Sequence, residues 1–140
     1  MKGKLTRRKF IRNAAITASA TPIISPLISS CSNLKNYAKG RLSHAAIGVG
    51  GMGDADLAQI SSHPDVDVTA ICDIDSNNLN KAAAKYPNAK TYTDWREMLT
   101  KEYQKIQSVN ITTPDHMHAP IAYKAMELGL HVYCQKPLTH

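Results

Sequence analysis

At 140 residues the chain can bury one modest hydrophobic core, so a single domain is the ceiling. Apolar residues make up 43% and charged residues 20%, which excludes a low-complexity chain and a multi-span membrane protein. The net charge of +6 invites a nucleic-acid reading, but its placement argues against one: all six excess positive charges fall at Lys2, Lys4, Arg7, Arg8, Lys9 and Arg12. Residues 32–140 carry eleven positive and eleven negative charges, with no basic stripe for counterion-driven binding.

The first 31 residues read as a targeting segment: a basic start, then the small and apolar run Ala14-Ala15-Ile16-Thr17-Ala18-Ser19-Ala20. Thr6-Arg7-Arg8-Lys9-Phe10 resembles a twin-arginine export signal, which implies the export machinery as a partner and an exported, periplasmic destination. Pro22 and Pro26 interrupt the apolar part, which is too short for a membrane-spanning helix. Ile28-Ser29-Ser30-Cys31 is similar to a lipoprotein processing box, with Cys31 as the acylated residue and lipid anchor; for the leader as a whole, a disordered basic tail is the alternative to a targeting segment. Residues 32–41 are polar and aperiodic and read as a linker, so the domain is expected over 42–140.

Ala45-Ala46-Ile47-Gly48-Val49 is an apolar run suited to a central strand, and Asp54 to Ser61 predicts a helix with Leu57 and Ile60 on one face. Val66 to Cys72 is β-branched and predicts a second strand; Ser76 to Tyr86 predicts an Ala-rich helix stopped by Pro87. Thr91 to Thr93 predicts a brief strand or extended link. Asp94 and Glu97 form the pattern of a capping box for a helix from Trp95 to Lys101, with Trp95 and Leu99 toward the sheet. Ile106 to Thr112 predicts a strand, His118 to Leu128 a helix with Pro120 in its first turn and Gly129 as its stop, and Leu130 to Cys134 a last strand. This alternation predicts an α/β, Rossmann-type doubly wound parallel sheet, incomplete at its C-terminal end. Cys72 and Cys134 fall at strand ends and read as buried thiols rather than as a disulfide.

Gly48-Val49-Gly50-Gly51-Met52-Gly53 fits G-x-G-x-x-G where a strand gives way to a helix. Gly48 suits the tight turn, Gly50 the approach of a pyrophosphate and Gly53 close helix–sheet packing, while Gly51 and Met52 complete the loop around the anion. Asp73, twenty residues after Gly53, is placed to reach the adenine ribose hydroxyls and to repel a 2′-phosphate, favouring NAD over NADP. Asp75 is the alternative, or a helix cap. Thr113, Pro114, His116 and His118 lie beyond the end of another predicted strand, where ligands gather in such sheets; capping or packing is the other explanation for one of the histidines. Two histidines at i and i+2 need further ligands to hold a metal, and none is expected. Gln135, Lys136 and Pro137 follow the last strand at the same edge, where Lys136 suits orienting a hydroxyl, stabilising an oxyanion or holding the cofactor, unless it is an ordinary surface lysine.

Taken with Cys72-Asp73-Ile74-Asp75, Thr113-Pro114-Asp115-His116-Met117-His118 and Lys136-Pro137-Leu138-Thr139, the glycine loop resembles the Gfo/Idh/MocA family of NAD(P)-dependent sugar oxidoreductases over roughly Ala45 to His140. The resemblance implies a nicotinamide end beside Thr113-Pro114 and Lys136-Pro137, and Lys136 as the catalytic group near the reacting carbon of a sugar or cyclitol. It also implies an unusual peptide at Pro137. Many relatives carry Glu where this chain has Gln135. In the family a second, C-terminal domain forms the sugar pocket and much of the oligomer interface, and by that comparison the chain is truncated at His140. The leader and Tyr133-Cys134-Gln135-Lys136-Pro137 are also similar to NAD-using glycosidases of the same superfamily, and an exported, non-catalytic nucleotide-binding remnant is a third expectation.

Overall fold

The computed structural model describes residues 40–138. The leader, Cys31, most of the linker, Thr139 and His140 lie outside the described residues.

Five strands form one parallel sheet in the order β3-β2-β1-β4-β5. They are β1 (Leu42–Ile47), β2 (Val66–Cys72), β3 (Lys90–Tyr92), β4 (Ser108–Ile111) and β5 (His131–Cys134). The helices α1 (Met52–Ser61), α2 (Ser76–Lys85), α3 (Trp95–Glu102) and α4 (His118–Glu127) connect them, with a short 3-10 turn at Asp115–Met117 leading into α4. The order reverses between β1 and β4, so the C-terminal ends of those two neighbours form the crevice where such sheets bind ligands.

Alternation along the strands sorts the core into two faces. Ala45 and Ile47 of β1 and Val109 and Ile111 of β4 join Met98 and Leu99 of α3 and Ile121 and Ala125 of α4. Ala46 and Ile71 face the other way, onto Leu57 of α1 and Leu79 and Ala82 of α2. Each fully buried Leu or Ile contributes about 1.5–3 kcal/mol, and the first face holds more of them.

The helix starts follow local chemistry. Asp75 caps α2 by accepting from the Asn77 amide at 2.8 Å. Asp94 caps α3 by accepting from the Arg96 amide at 2.8 Å. The capping box foreseen there is half made, since Glu97 pairs instead with Lys101 one turn on, at 2.6 Å. Ile60 does not join Leu57 in the core: it is half-buried and borders an open groove beside β4 and β5.

The strand β2 carries one residue too many. His44 pairs with Val68 but Ala45 pairs with Ala70, leaving Thr69 as a bulge whose hydroxyl donates to the His44 carbonyl at 3.3 Å. Cys72, Ile47, Ile111 and Cys134 form one row across four strands. Three strand spacings of about 4.8 Å separate the two thiols, far beyond the ~4.4–6.8 Å between Cα atoms of a disulfide.

Candidate functional site

The glycine loop turns sharply at the end of β1. Gly48 takes φ +81° and its amide donates to the Cys72 carbonyl at 2.8 Å. A Cβ at Gly48 would stand 2.5 Å from the Thr112 carbonyl oxygen, and one at Gly53 would stand 2.0 Å from the Gly48 carbonyl oxygen. Both obstacles are backbone, so these two glycines seat α1 against the ends of β1 and β4. A Cβ at Gly50 would instead meet the Asn78 side-chain amide at 2.3 Å, so on this side the loop lies against α2. Gly51 faces open space, and α1 begins there with no side-chain cap, leaving its first turn open toward an anion. Met52 is exposed beside it.

Asp73 lies directly beside the loop. Its Oδ2 accepts from the Val49 amide at 2.9 Å and its Oδ1 from the Asp75 amide at 2.9 Å. Two amides leave the carboxylate further lone pairs for hydroxyl donors. Asp75 is occupied as the cap of α2, so the two acids have separate work.

A cleft of about 640 Å³ runs over this edge, lined by Gly48, Gly50, Asp73 and Asn78 on one side and Thr112, Thr113, Pro114 and His116 on the other. Ile74, 88% exposed, and the Trp95–Arg96 pair stand at the Asp73 end, with the Arg96 guanidinium 4.4 Å from the Trp95 ring centre. Among the described residues, two buried side-chain polar atoms have no hydrogen-bond partner, Trp95 Nε1 and Thr113 Oγ1. Both residues line this cleft. Buried polar atoms are rarely left so, and both residues border the space that a dinucleotide would fill.

His116 borders the cleft, but His118 does not stand open to it. It is 1% exposed, with Nδ1 2.7 Å from the Pro137 carbonyl and Nε2 2.8 Å from the Thr113 carbonyl. It ties the Thr113 loop to the Pro137 loop, because the first turn of α4 points it inward between them. Gln135, Lys136 and Pro137 are beside the cleft rather than on its walls. The Gln135 amide donates to the Ile111 carbonyl at 3.0 Å, extending β5 past β4, and Lys136 is exposed just beyond. The Lys136–Pro137 peptide is cis, the unusual geometry foreseen there.

Cys72, on the cleft wall, has its thiol pushed up to about 12, by burial first and then by the charges of Asp73, Asp94 and Glu97. Burial also raises Cys134. Both shifts favour the neutral thiol over the nucleophilic thiolate. Among the described residues no three His, Cys, Asp or Glu side chains converge to hold a metal ion.

Asn78 and Trp95 are cleft residues that sequence reasoning missed. Each belongs to a helix whose spacing shows an amphipathic face but not what that face meets.

Residues 42–140 match the family described as GFO_IDH_MocA, "Oxidoreductase family, NAD-binding Rossmann fold". A glycosyl hydrolase family 109 protein from Stenotrophomonas maltophilia is 34% identical over 144 aligned residues, covering 94% of this chain and 29% of that protein. An inositol 2-dehydrogenase from Salmonella typhimurium is 31% identical, covering 66% of this chain and 27% of the enzyme. Among solved structures, myo-inositol 2-dehydrogenase from Lactobacillus plantarum superposes with a TM-score of 0.65 at 32% identity, covering 71% of this chain and 29% of that one. The WlbA dehydrogenase from Chromobacterium violaceum, in complex with NADH and UDP-GlcNAcA, gives 0.65 at 25% identity, covering 71% and 28%. The chain thus spans less than a third of the length of these relatives.

Proposed function

The chain belongs to the Gfo/Idh/MocA oxidoreductase family, with the NAD-binding Rossmann fold of that family, and from this premise we propose that it binds NAD in preference to NADP as the nucleotide-binding part of a sugar or cyclitol dehydrogenase. The observation that carries the preference is Asp73, hydrogen-bonded to the Val49 amide at 2.9 Å, which fixes a carboxylate beside the glycine loop. Asp73 would there hold the adenosine ribose, the glycine loop and the first turn of α1 would hold the diphosphate, and Thr113 and Pro114 would stand at the nicotinamide end. Bound NAD supplies a hydride acceptor. Trp95 and Thr113 would border the bound dinucleotide, Asn78 lies against Gly50, and His118 holds the Thr113 and Pro137 loops in one frame. The Lys136 ammonium is the group offered to the hydroxyl being oxidised, stabilising charge that develops on its oxygen.

Calorimetry on the folded chain tests this. NAD binds more tightly than NADP, and Asp73→Asn narrows the ratio by about tenfold, since carboxylate–phosphate repulsion at ~4 Å is of order 1–4 kcal/mol. Absence of heat with either dinucleotide, on material shown to be folded, overturns the reading.

One observation favours a second reading. The family 109 match covers 94% of the chain against 66% for the inositol dehydrogenase, so it reaches into the first 41 residues. An exported NAD-using glycosidase fits that coverage. Accumulation of NADH with a cyclitol panel favours the dehydrogenase, and hydrolysis of an aryl glycoside without net NADH favours the glycosidase. Export is proposed on the Arg7-Arg8 pair, with Cys31 as a lipid anchor. Replacing both arginines with lysine should hold the precursor in the cytoplasm, and unaltered export rejects the twin-arginine route.

A further inference from the structure

One carboxylate at this edge stands outside the lining of the cleft. Asp56, in the second turn of α1, receives two hydrogen bonds on a single oxygen: the Thr112 hydroxyl donates to Oδ2 at 3.1 Å and Gln135 Nε2 donates to it at 2.9 Å. An ionised carboxylate only accepts, so both partners must donate, and this fixes the direction of everything behind them. The Thr112 oxygen accepts from Asn110 Nδ2 at 3.4 Å, which turns Asn110 Oδ1 toward His44 Nε2 at 3.0 Å. His44 Nε2 therefore carries the hydrogen. Its Nδ1 accepts from the Ser108 hydroxyl at 2.7 Å, consistent with burial holding His44 below its ordinary pKa against the raising effect of Asn110. A one-way polar row thus runs from Ser108 under the sheet to Asp56.

Gln135 reaches Asp56 from just past the end of β5. With its nitrogen committed to the carboxylate, its Oε1 is left to accept from the Lys136 backbone amide at 3.2 Å. The orientation of one side-chain amide therefore connects α1, the helix that opens at the glycine loop, to the backbone of Lys136.

We propose that Asp56 is a positioning residue for the Lys136 loop, acting through Gln135, and that it selects an amide over a carboxylate at position 135. This role rests on the reading of Lys136 given above. A carboxylate at 135 would place two acceptors with no hydrogen between them across the 2.9 Å that a hydrogen bond now spans. The neutral donor at 135 and the charge at 56 are thus two halves of one device, seventy-nine residues apart in the chain.

Amide NMR on the full chain, with NAD calorimetry on the same samples, tests the pairing. Gln135→Glu should displace the Lys136 amide resonance and lower its protection from exchange by up to about tenfold, the loss expected for one hydrogen bond. Adding Asp56→Asn reverses donor and acceptor and should restore both signals, a rescue that simple space-filling does not produce. A Lys136 amide indifferent to Gln135→Glu, or a double variant no closer to the parent than the single one, overturns the assignment. If Gln135→Glu does not fold, Thr112→Val removes the other donor to Asp56. The Gln135 side-chain amide resonances should then move, and their failure to move also overturns it. Rescue in a chain that binds no NAD keeps the role of Asp56 and sinks the cofactor reading; NAD binding without rescue does the reverse.

Discussion

The two faces of the central strands do different work. Toward α3 and α4, β1 and β4 present Ala45, Ile47, Val109 and Ile111, every one buried in a continuous apolar layer. Toward α1 the same strands present His44, Ser108 and Asn110, two of them buried, joined to each other and to Asp56. Apolar packing alone satisfies the first face. On the second, each buried polar atom needs a partner, and the partners lead step by step to the edge where Lys136 stands. The contrast teaches that the fold is secured mainly on one face, while the other gives part of its burial to orienting the site.

Substitutions on the two faces sharpen that contrast. Ile111→Ala leaves a void in the apolar layer and should cost about 2–5 kcal/mol in denaturant unfolding, with NAD affinity little changed in the molecules that remain folded. Asn110→Leu, one position away and on the other face, strands the His44 Nε2 hydrogen and should cost about 1–3 kcal/mol while disturbing the Lys136 amide. Equal costs with no effect at Lys136 from either would erase the distinction. The smallest effect is the pH response. Burial holds His44 below its ordinary pKa in the folded chain, so as pH falls past about 6.5 the unfolded chain takes up a proton before the folded one does. Stability should therefore decline as pH drops from about 7 until the folded value is reached, and His44→Gln should flatten that slope in urea titrations. A wild-type slope unchanged by the substitution removes His44 from the row.

Much of this is legible in the amino-acid sequence. The element order, the glycine loop and the caps at Asp75 and Asp94 follow from local rules, because spacing along one segment decides them. Asp73 beside the loop was legible for the same reason: strand length places a residue at a strand tip. Three kinds of feature were not. His118 was foreseen at the cofactor, but where a helix's first turn points depends on the loops it meets, and here those are the carbonyls of Thr113 and Pro137. Asp56 gives no signal in its own helix, since its partners lie at 112 and 135. In β2, plain alternation puts Val68 on the same face as Ala70 and Cys72, yet Val68 packs with Ile71 on the other.

The bulge at Thr69 explains that last discrepancy and has a consequence for length. Val68 and Ala70 already point to opposite sides, so a chain lacking Thr69 would step from one to the other as neighbouring positions do in any regular strand. Every remaining side chain would keep the layer it occupies now, at the loss of one hydroxyl contact to the adjacent strand. A one-residue deletion elsewhere in this strand would turn half of it inside out; at this position the inside–outside code is spared.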